Sequence, residues 1–363
     1  MKGKYLLSAA LLPCCSAFAQ SSVTLYGSLD ESVQWGHTGG SSVVRLDSGN
    51  ITASAFGLTG AEDIGGGTKI IFKLEGGINL SNGVSTNNGA LFGREAWVGA
   101  AGDFGRIQFG LNYTPFMISM VTYSLGTLNN LAWGNAANNY IFVPWNRMPN
   151  SIRYTSPEFA GLTFRAFWAF GANGSPTLPR TLGNTASVSA SYRRGAFAAD
   201  VVYLQQVYAV SASGTNVSAS SSTATGNYEF IGLSYDFGIV RAAALFAAHR
   251  GAAQISSVSS SVYANPNNDI YEISAVIPHI SYGALVLSYG GYRQYGNKRG
   301  QSTSYGLRYE YPLSKTSAVY AGVSYIRNSD NVGYGVSGVS NSGITVSPGN
   351  NLTAAVIGFK TKF

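Results

Sequence analysis

The sequence is short of cysteine, of charge and of long apolar runs. Its 363 residues hold two cysteines, Cys14 and Cys15, and both fall in an N-terminal stretch built as a secretory leader. Lys2 and Lys4 precede the apolar run from Tyr5 to Leu12, and Ala17-Phe18-Ala19 supplies a small-x-small cleavage site. We therefore expect a signal peptide over 1–19 and a mature domain over 20–363. Pro13 stands where a lipoprotein signal on Cys14 would need a small residue. A chain cut after Ala19 keeps no thiol, which excludes disulfides, cysteine metal sites and cysteine nucleophiles. Charged residues make up 11%, against about a quarter in soluble domains. Removing Lys2 and Lys4 from 23 basic residues leaves 21 against 16 acidic, a formal charge of +5. Without a clustered Lys/Arg run, that excess does not point to nucleic acid. No mature stretch reaches the ~18 consecutive apolar residues a membrane helix needs. A membrane location would require strands.

Glycine (45), tyrosine (23) and phenylalanine (18) are abundant, and the mean hydropathy is +0.07. From Val23 onward the apolar period is two. Val23, Leu25 and Leu29 alternate with Thr24, Tyr26, Ser28 and Asp30. Ile70, Phe72 and Leu74 likewise oppose Lys73 and Glu75, after a turn read over Glu62 to Gly67. Arg153 opposes Ile152 and Tyr154, Arg165 opposes Phe164 and Trp168, and Arg308 opposes Leu307 and Tyr309. A soluble sandwich also alternates, but it would present Lys, Glu and Thr to water rather than Leu, Tyr, Trp and Phe. Short connections such as Asp236-Phe237-Gly238 alternate with long Ser/Gly/Asn stretches, the rim asymmetry of a transmembrane barrel. An open sheet in hydrocarbon would leave unpaired backbone groups along both edges, so the sheet must close. The alternating segments predict an all-β antiparallel barrel of about sixteen strands, wide enough for an aqueous lumen.

One stretch breaks the rhythm. Residues 114–150 are too long for a turn, rich in aromatics and Asn, and free of Asp and Glu, and structureless connections of this length are usually functional. Thr114 reads as an N-cap and Pro115 as the first helical residue, with Gly126 as a possible stop. We expect a short helix, then irregular chain folded into the lumen, with Trp133, Phe142, Trp145 and Arg147 on this loop.

The segments SSVTLYG, SGNITASAFGLTGAEDIGGGTKIIFKLE, FGREAWVG, NSIRYTSPEFAGLTF and the terminal TKF, in this order over nearly the whole mature chain, resemble the general trimeric porins of the Gram-negative outer membrane. The resemblance implies a homotrimer of sixteen-stranded barrels in outer-membrane lipid. It also implies passive diffusion of ions and small hydrophilic solutes past an inward third loop. Arg94 and Arg153 match the family's arginines facing that loop, and Arg165 is a further candidate; Asp30 and Glu75 are the acidic lumen candidates. The chain departs from the family pattern at Ala55 and Leu111, where arginine is common, and in the missing loop carboxylates. Weak anion selectivity is the expectation.

The remaining motifs carry little chemistry. Gly333, Gly335 and Gly338 match a dinucleotide fingerprint but lack its strand and helix. Lys69 after Gly65-Gly66-Gly67 opens a strand, unlike a phosphate loop. His37, His249 and His279 have no metal-ligand spacing, so neither a cofactor nor a metal is expected. Two alternatives stay open. A solute-specific or adhesin-type barrel would not conduct unrelated ions, and an outer-membrane hydrolase would cleave lipid through one of the histidines.

Overall fold

The computed structural model describes residues 22–87, 89–125, 147–171, 176, 179–209, 223–251, 267–296, 300–336 and 343–363. The expected leader and Trp133, Phe142 and Trp145 lie outside them. In chain order come β1 (Ser22–Thr38), β2 (Ser41–Ser48), β3 (Ala55–Gly65), β4 (Thr68–Gly77), β5 (Glu95–Gly102) and β6 (Gly105–Tyr113). Then follow the helix α1 (Pro115–Tyr123), β7 (Arg147–Thr155), β8 (Leu162–Ala169), β9 (Thr185–Arg194), β10 (Phe197–Ala209) and β11 (Thr223–Asp236). The last six strands are β12 (Arg241–Gly251), β13 (Asn268–Ile280), β14 (Gly283–Gln294), β15 (Gly300–Pro312), β16 (Ser317–Asn328) and β17 (Leu352–Lys362).

Neighbouring strands run antiparallel, and β17 returns to β1 in a continuous register from Ser28↔Lys362 to Thr38↔Leu352. Gly27 and the terminal Phe363 exchange backbone hydrogen bonds of 3.0 and 3.1 Å at the seam. β2 pairs with the second half of β1 and β3 with the first, so the two share one place in the wall and the closed barrel has sixteen strands. The gap between them is braced by Asp30. Its buried carboxylate accepts the backbone N–H of Ile51 and of Thr52, each at 2.7 Å, and the Tyr320 phenol of β16 at 2.6 Å. Such charge-assisted bonds hold an irregular segment firmly.

Connections at 66–67, 103–104, 195–196, 237–240, 281–282 and 313–316 define one rim, while the long ones gather at the other. The turn expected over Glu62 to Gly67 contracts to two residues. Asp63 Oδ1 accepts the Gly65 N–H at 2.9 Å, and Gly65 takes the left-handed backbone (φ 85°) that glycine allows. The strand therefore continues to Gly65.

Outward positions such as Leu25, Phe164, Trp168, Ile231, Leu233, Tyr305 and Leu307 are exposed as a continuous apolar belt, which only lipid can cover at this size. The inner face is not uniformly polar. On β10, Val202 and Leu204 point inward while Val201 and Tyr203 point outward. A strand apolar on both faces is covered on both. Helix α1 supplies that cover against β8 to β12. A second inward segment, around Val332, Tyr334, Val336, Ile344 and Val346, covers Ile326, Leu352, Ala354 and Val356. It is held by Arg45 Nη1 to the Gly343 carbonyl (2.8 Å) and by Asn328 Nδ2 to the Tyr334 carbonyl (2.9 Å). The Ile344 side-chain tip lies directly over Gly36, so a Cβ there would have to displace it. Gly333 and Gly335 of the dinucleotide-like fingerprint belong to this packed segment, and Gly338 lies outside the described residues.

Candidate functional site

Thr114 and Pro115 start α1 as expected: Thr114 Oγ1 accepts the Met117 N–H at 3.2 Å and Pro115 occupies the first turn. Nine residues form a marginal helix alone in water, so the wall must hold it. Phe116 packs edge-on against Tyr228 and Phe230, with ring centroids at 6.1 and 5.7 Å. The Tyr123 ring lies on Gly232, where a Cβ would strike it.

Polar anchors then fix the helix in rotation and depth. Ser119 Oγ donates to Asp200 Oδ2 at 2.6 Å, and Tyr123 Oη donates to Asp200 Oδ1 at 2.8 Å. Ser124 Oγ donates to Glu272 Oε2 at 2.5 Å, and the Leu125 N–H to Ser274 Oγ at 3.1 Å. Burial and then the neighbouring Asp200 carboxylate push the Tyr123 phenol up, which keeps it protonated as a donor. The helix ends at Tyr123, before Gly126, because the wall captures Ser124 and Leu125. The loop brings no carboxylate of its own. The wall supplies two instead.

On the other side of the lumen, Arg94 lies just before β5. Its Nε donates to Glu75 Oε1 at 2.7 Å and its Nη2 to the Tyr113 phenol at 3.0 Å. Arg147 Nη2 reaches the same phenol at 3.0 Å, and its guanidinium lies 4.9 Å from that ring's centroid. Glu75 also accepts from Tyr26 at 2.7 Å and pairs with Lys73 at 3.1 Å, while Lys73 pairs with Glu95 as well. Arg153, 8% exposed, donates from Nε and Nη2 to Gln108 Oε1 at 3.0 and 2.8 Å and from Nη1 to the Tyr113 carbonyl at 3.0 Å. Arg165 Nη1 donates to Ser191 Oγ at 2.7 Å. Arg106 opposes Thr155, and Thr155 opposes Arg165, in one row of the inner register. Among the described residues, Arg106, Arg147, Arg153 and Arg165 have no carboxylate within ion-pair distance. Arg193 on β9 does reach Asp200, at 3.4 Å.

Asp30 and Glu75 thus sit on the inner face with their charges committed to the protein. Ala55 is buried at the start of β3, and Leu111 pairs with Ala96 on the outward register of Val98 and Phe109. Sequence reasoning missed Asp200, Glu272 and Arg106. A signal existed for the first: Asp200 shares its face with the apolar Val202 and Leu204, and a lone carboxylate on an apolar inner face asks for a donor to cover it. The histidines form no site. His249 stacks on Tyr228 with centroids 4.1 Å apart, His37 meets Ser42, and no cluster among the described residues could hold a metal.

Comparison with known proteins agrees with this architecture. The family model described as Gram-negative porin matches residues 6–331. The chain is 28% identical over 379 residues to outer membrane porin protein 32 of Delftia acidovorans, covering 100% of both chains. Among solved structures, the anion-selective porin from Comamonas acidovorans superposes with a TM-score of 0.80 at 24% identity, over 95% of this chain and 100% of that one. The trimer form of OmpT from Vibrio cholerae gives 0.69 at 17% identity, over 94% and 99%. A closed barrel with an apolar belt, a helix folded against its inner wall and a family match over most of its length leave one conclusion: this chain belongs to the Gram-negative porins, channel proteins of the outer membrane.

Proposed function

We propose that the channel passes ions and small hydrophilic solutes with a weak preference for anions, and that it works as a homotrimer. The carrying observation is the set of Arg106, Arg147, Arg153 and Arg165 on three adjacent strands, with no carboxylate in ion-pair range among the described residues. The acids on the other side are already taken: Asp200 and Glu272 accept bonds from the inward helix and from Ser124 beyond its end. A rim of fixed positive charge lowers the energy of an entering anion and raises that of a cation. Each charge is worth about 1 kcal/mol at ~4 Å in water, and salt reduces it further, so the preference is mild. The similar Comamonas structure is described as anion-selective, and the similar OmpT structure as a trimer. Residues 1–19 would be removed during export, and N-terminal sequencing of the mature protein should begin at Gln20. A planar bilayer with a potassium chloride gradient tests the main claim. The reversal potential should carry the sign of anion preference, and cation preference would overturn it. A heat-modifiable band on a denaturing gel is the expected mark of the trimer.

A further inference from the structure

The inner-face arginines that reach a side-chain partner fall into two classes. Arg45, Arg94, Arg193 and Arg308 end on carboxylates, those of Asp47 at 3.2 Å, Glu75 at 2.7 Å, Asp200 at 3.4 Å and Glu310 at 2.8 Å. Their charges are cancelled where they stand. Arg147 ends on the Tyr113 phenol, Arg165 on the Ser191 hydroxyl, and Arg153 on the Gln108 amide and the Tyr113 carbonyl. These three are placed without being neutralised.

Arg153 is held from two sides. Gln108 directly opposes it in the pairing of β6 with β7, and one oxygen, Gln108 Oε1, accepts from both Nε and Nη2 of the guanidinium at 3.0 and 2.8 Å. The Tyr113 carbonyl accepts from Nη1 at 3.0 Å. A glutamate of the same shape would make stronger, charge-assisted bonds to this guanidinium. It would also leave no orphan donor, whereas Gln108 is fully buried and its Nε2 meets no acceptor among the described residues, an arrangement that costs stability. Stability alone therefore favours a carboxylate at this position. What the amide preserves is the charge of Arg153. The Glu95 carboxylate on the adjacent β5 is already shared by Lys73 and the Trp97 indole.

We propose that Gln108 is a selectivity-determining positioning residue: it fixes the Arg153 guanidinium in the wall through a neutral acceptor, so the place of the charge is set and its field still reaches the lumen. The assignment rests on the anion preference proposed above. Its test is Gln108→Glu, the isosteric change that moves Arg153 into the neutralised class, recorded with the assembled porin in a planar bilayer under a potassium chloride gradient at low salt, where screening is least. At neutral pH the anion-to-cation permeability ratio should fall about twofold, the effect of cancelling one of several fixed charges. As the pH is lowered from about 7 to about 3 the introduced carboxyl takes up a proton and loses its charge, so the variant should converge on the wild type measured at the same pH. A purely structural role would not move with pH in this way. Gln108→Met removes the acceptor and adds no charge; it should keep most of the preference while open-channel noise rises, because the guanidinium has lost two of its three bonds. A wild-type reversal potential in Gln108→Glu at every pH, wild-type noise in Gln108→Met, or an equal loss of preference in both variants would overturn the assignment and leave the anion preference standing. A wild type that prefers cations would instead sink the reading beneath it.

Discussion

The lumen has two unlike walls. Across β6 to β8 the inner face is built from guanidiniums that end on amides, hydroxyls, a phenol and a carbonyl. Across β10 to β12, and again at β16 and β17, it is built from Val, Leu, Ile and aromatic rings. In the proposed channel, the first wall is the one left for water and solute. The second is covered by the chain itself, by α1 in one place and by the segment around Tyr334 in another. A face that points inward in a barrel is therefore not automatically wet, and its apolar part shows where the inward segments dock. Charge follows the same division, because acids on the covered wall serve the inserted helix while bases on the open wall have no carboxylate in ion-pair range among the described residues.

Cutting the anchor of the covered wall should have the largest effect. Asp200→Ala removes the acceptor of two hydrogen bonds to a charged group, about 3–6 kcal/mol of local anchoring. Amide hydrogen exchange over 115–125 should accelerate and open-channel current noise should rise, with the barrel still folded; unchanged exchange would show that ring packing alone holds the helix. Tyr123→Phe keeps the ring on Gly232 and removes only one bond, roughly 1.5–3 kcal/mol. Its exchange rates should fall between wild type and Asp200→Ala, and a variant as loose as Asp200→Ala would make the phenol the whole anchor.

The open wall is tested by charge reversal. Arg153→Glu combined with Arg165→Glu should move the reversal potential toward cations by roughly 1 kcal/mol, or about fivefold in permeability ratio. An unaltered reversal potential would remove these side chains from the conduction path. The smallest effect needs no mutation. The wild-type anion preference should shrink between 0.1 and 1 M salt, as the screening length falls from about 10 to about 3 Å. A preference independent of salt would point to size rather than charge.

The barrel was legible in the sequence because a strand reports its faces locally. Val23, Leu25 and Leu29 against Asp30, or Phe164 and Trp168 against Arg165, need no distant partner to show which side is apolar. The helix start was legible for the same reason, since Thr114 caps a donor three residues away and Pro115 needs none. What a face meets across the lumen is not local. Asp200 contacts Ser119 and Tyr123 some 80 positions earlier in the chain, Glu272 meets Ser124 from another strand, and Asp30 reaches Tyr320 across the seam. Period two places each of these acids on the inner face but says nothing about what covers it. Glu75 is the same case: its side chain marks it as a lumen charge, and only the approach of Arg94, Lys73 and Tyr26 makes it a structural one. By itself the sequence determined the wall, its apolar belt and the start of the inward helix, because those depend on neighbours within a few residues. Closure of the barrel decided which inner charges are spent on packing, because it alone sets the distances between side chains far apart in the chain.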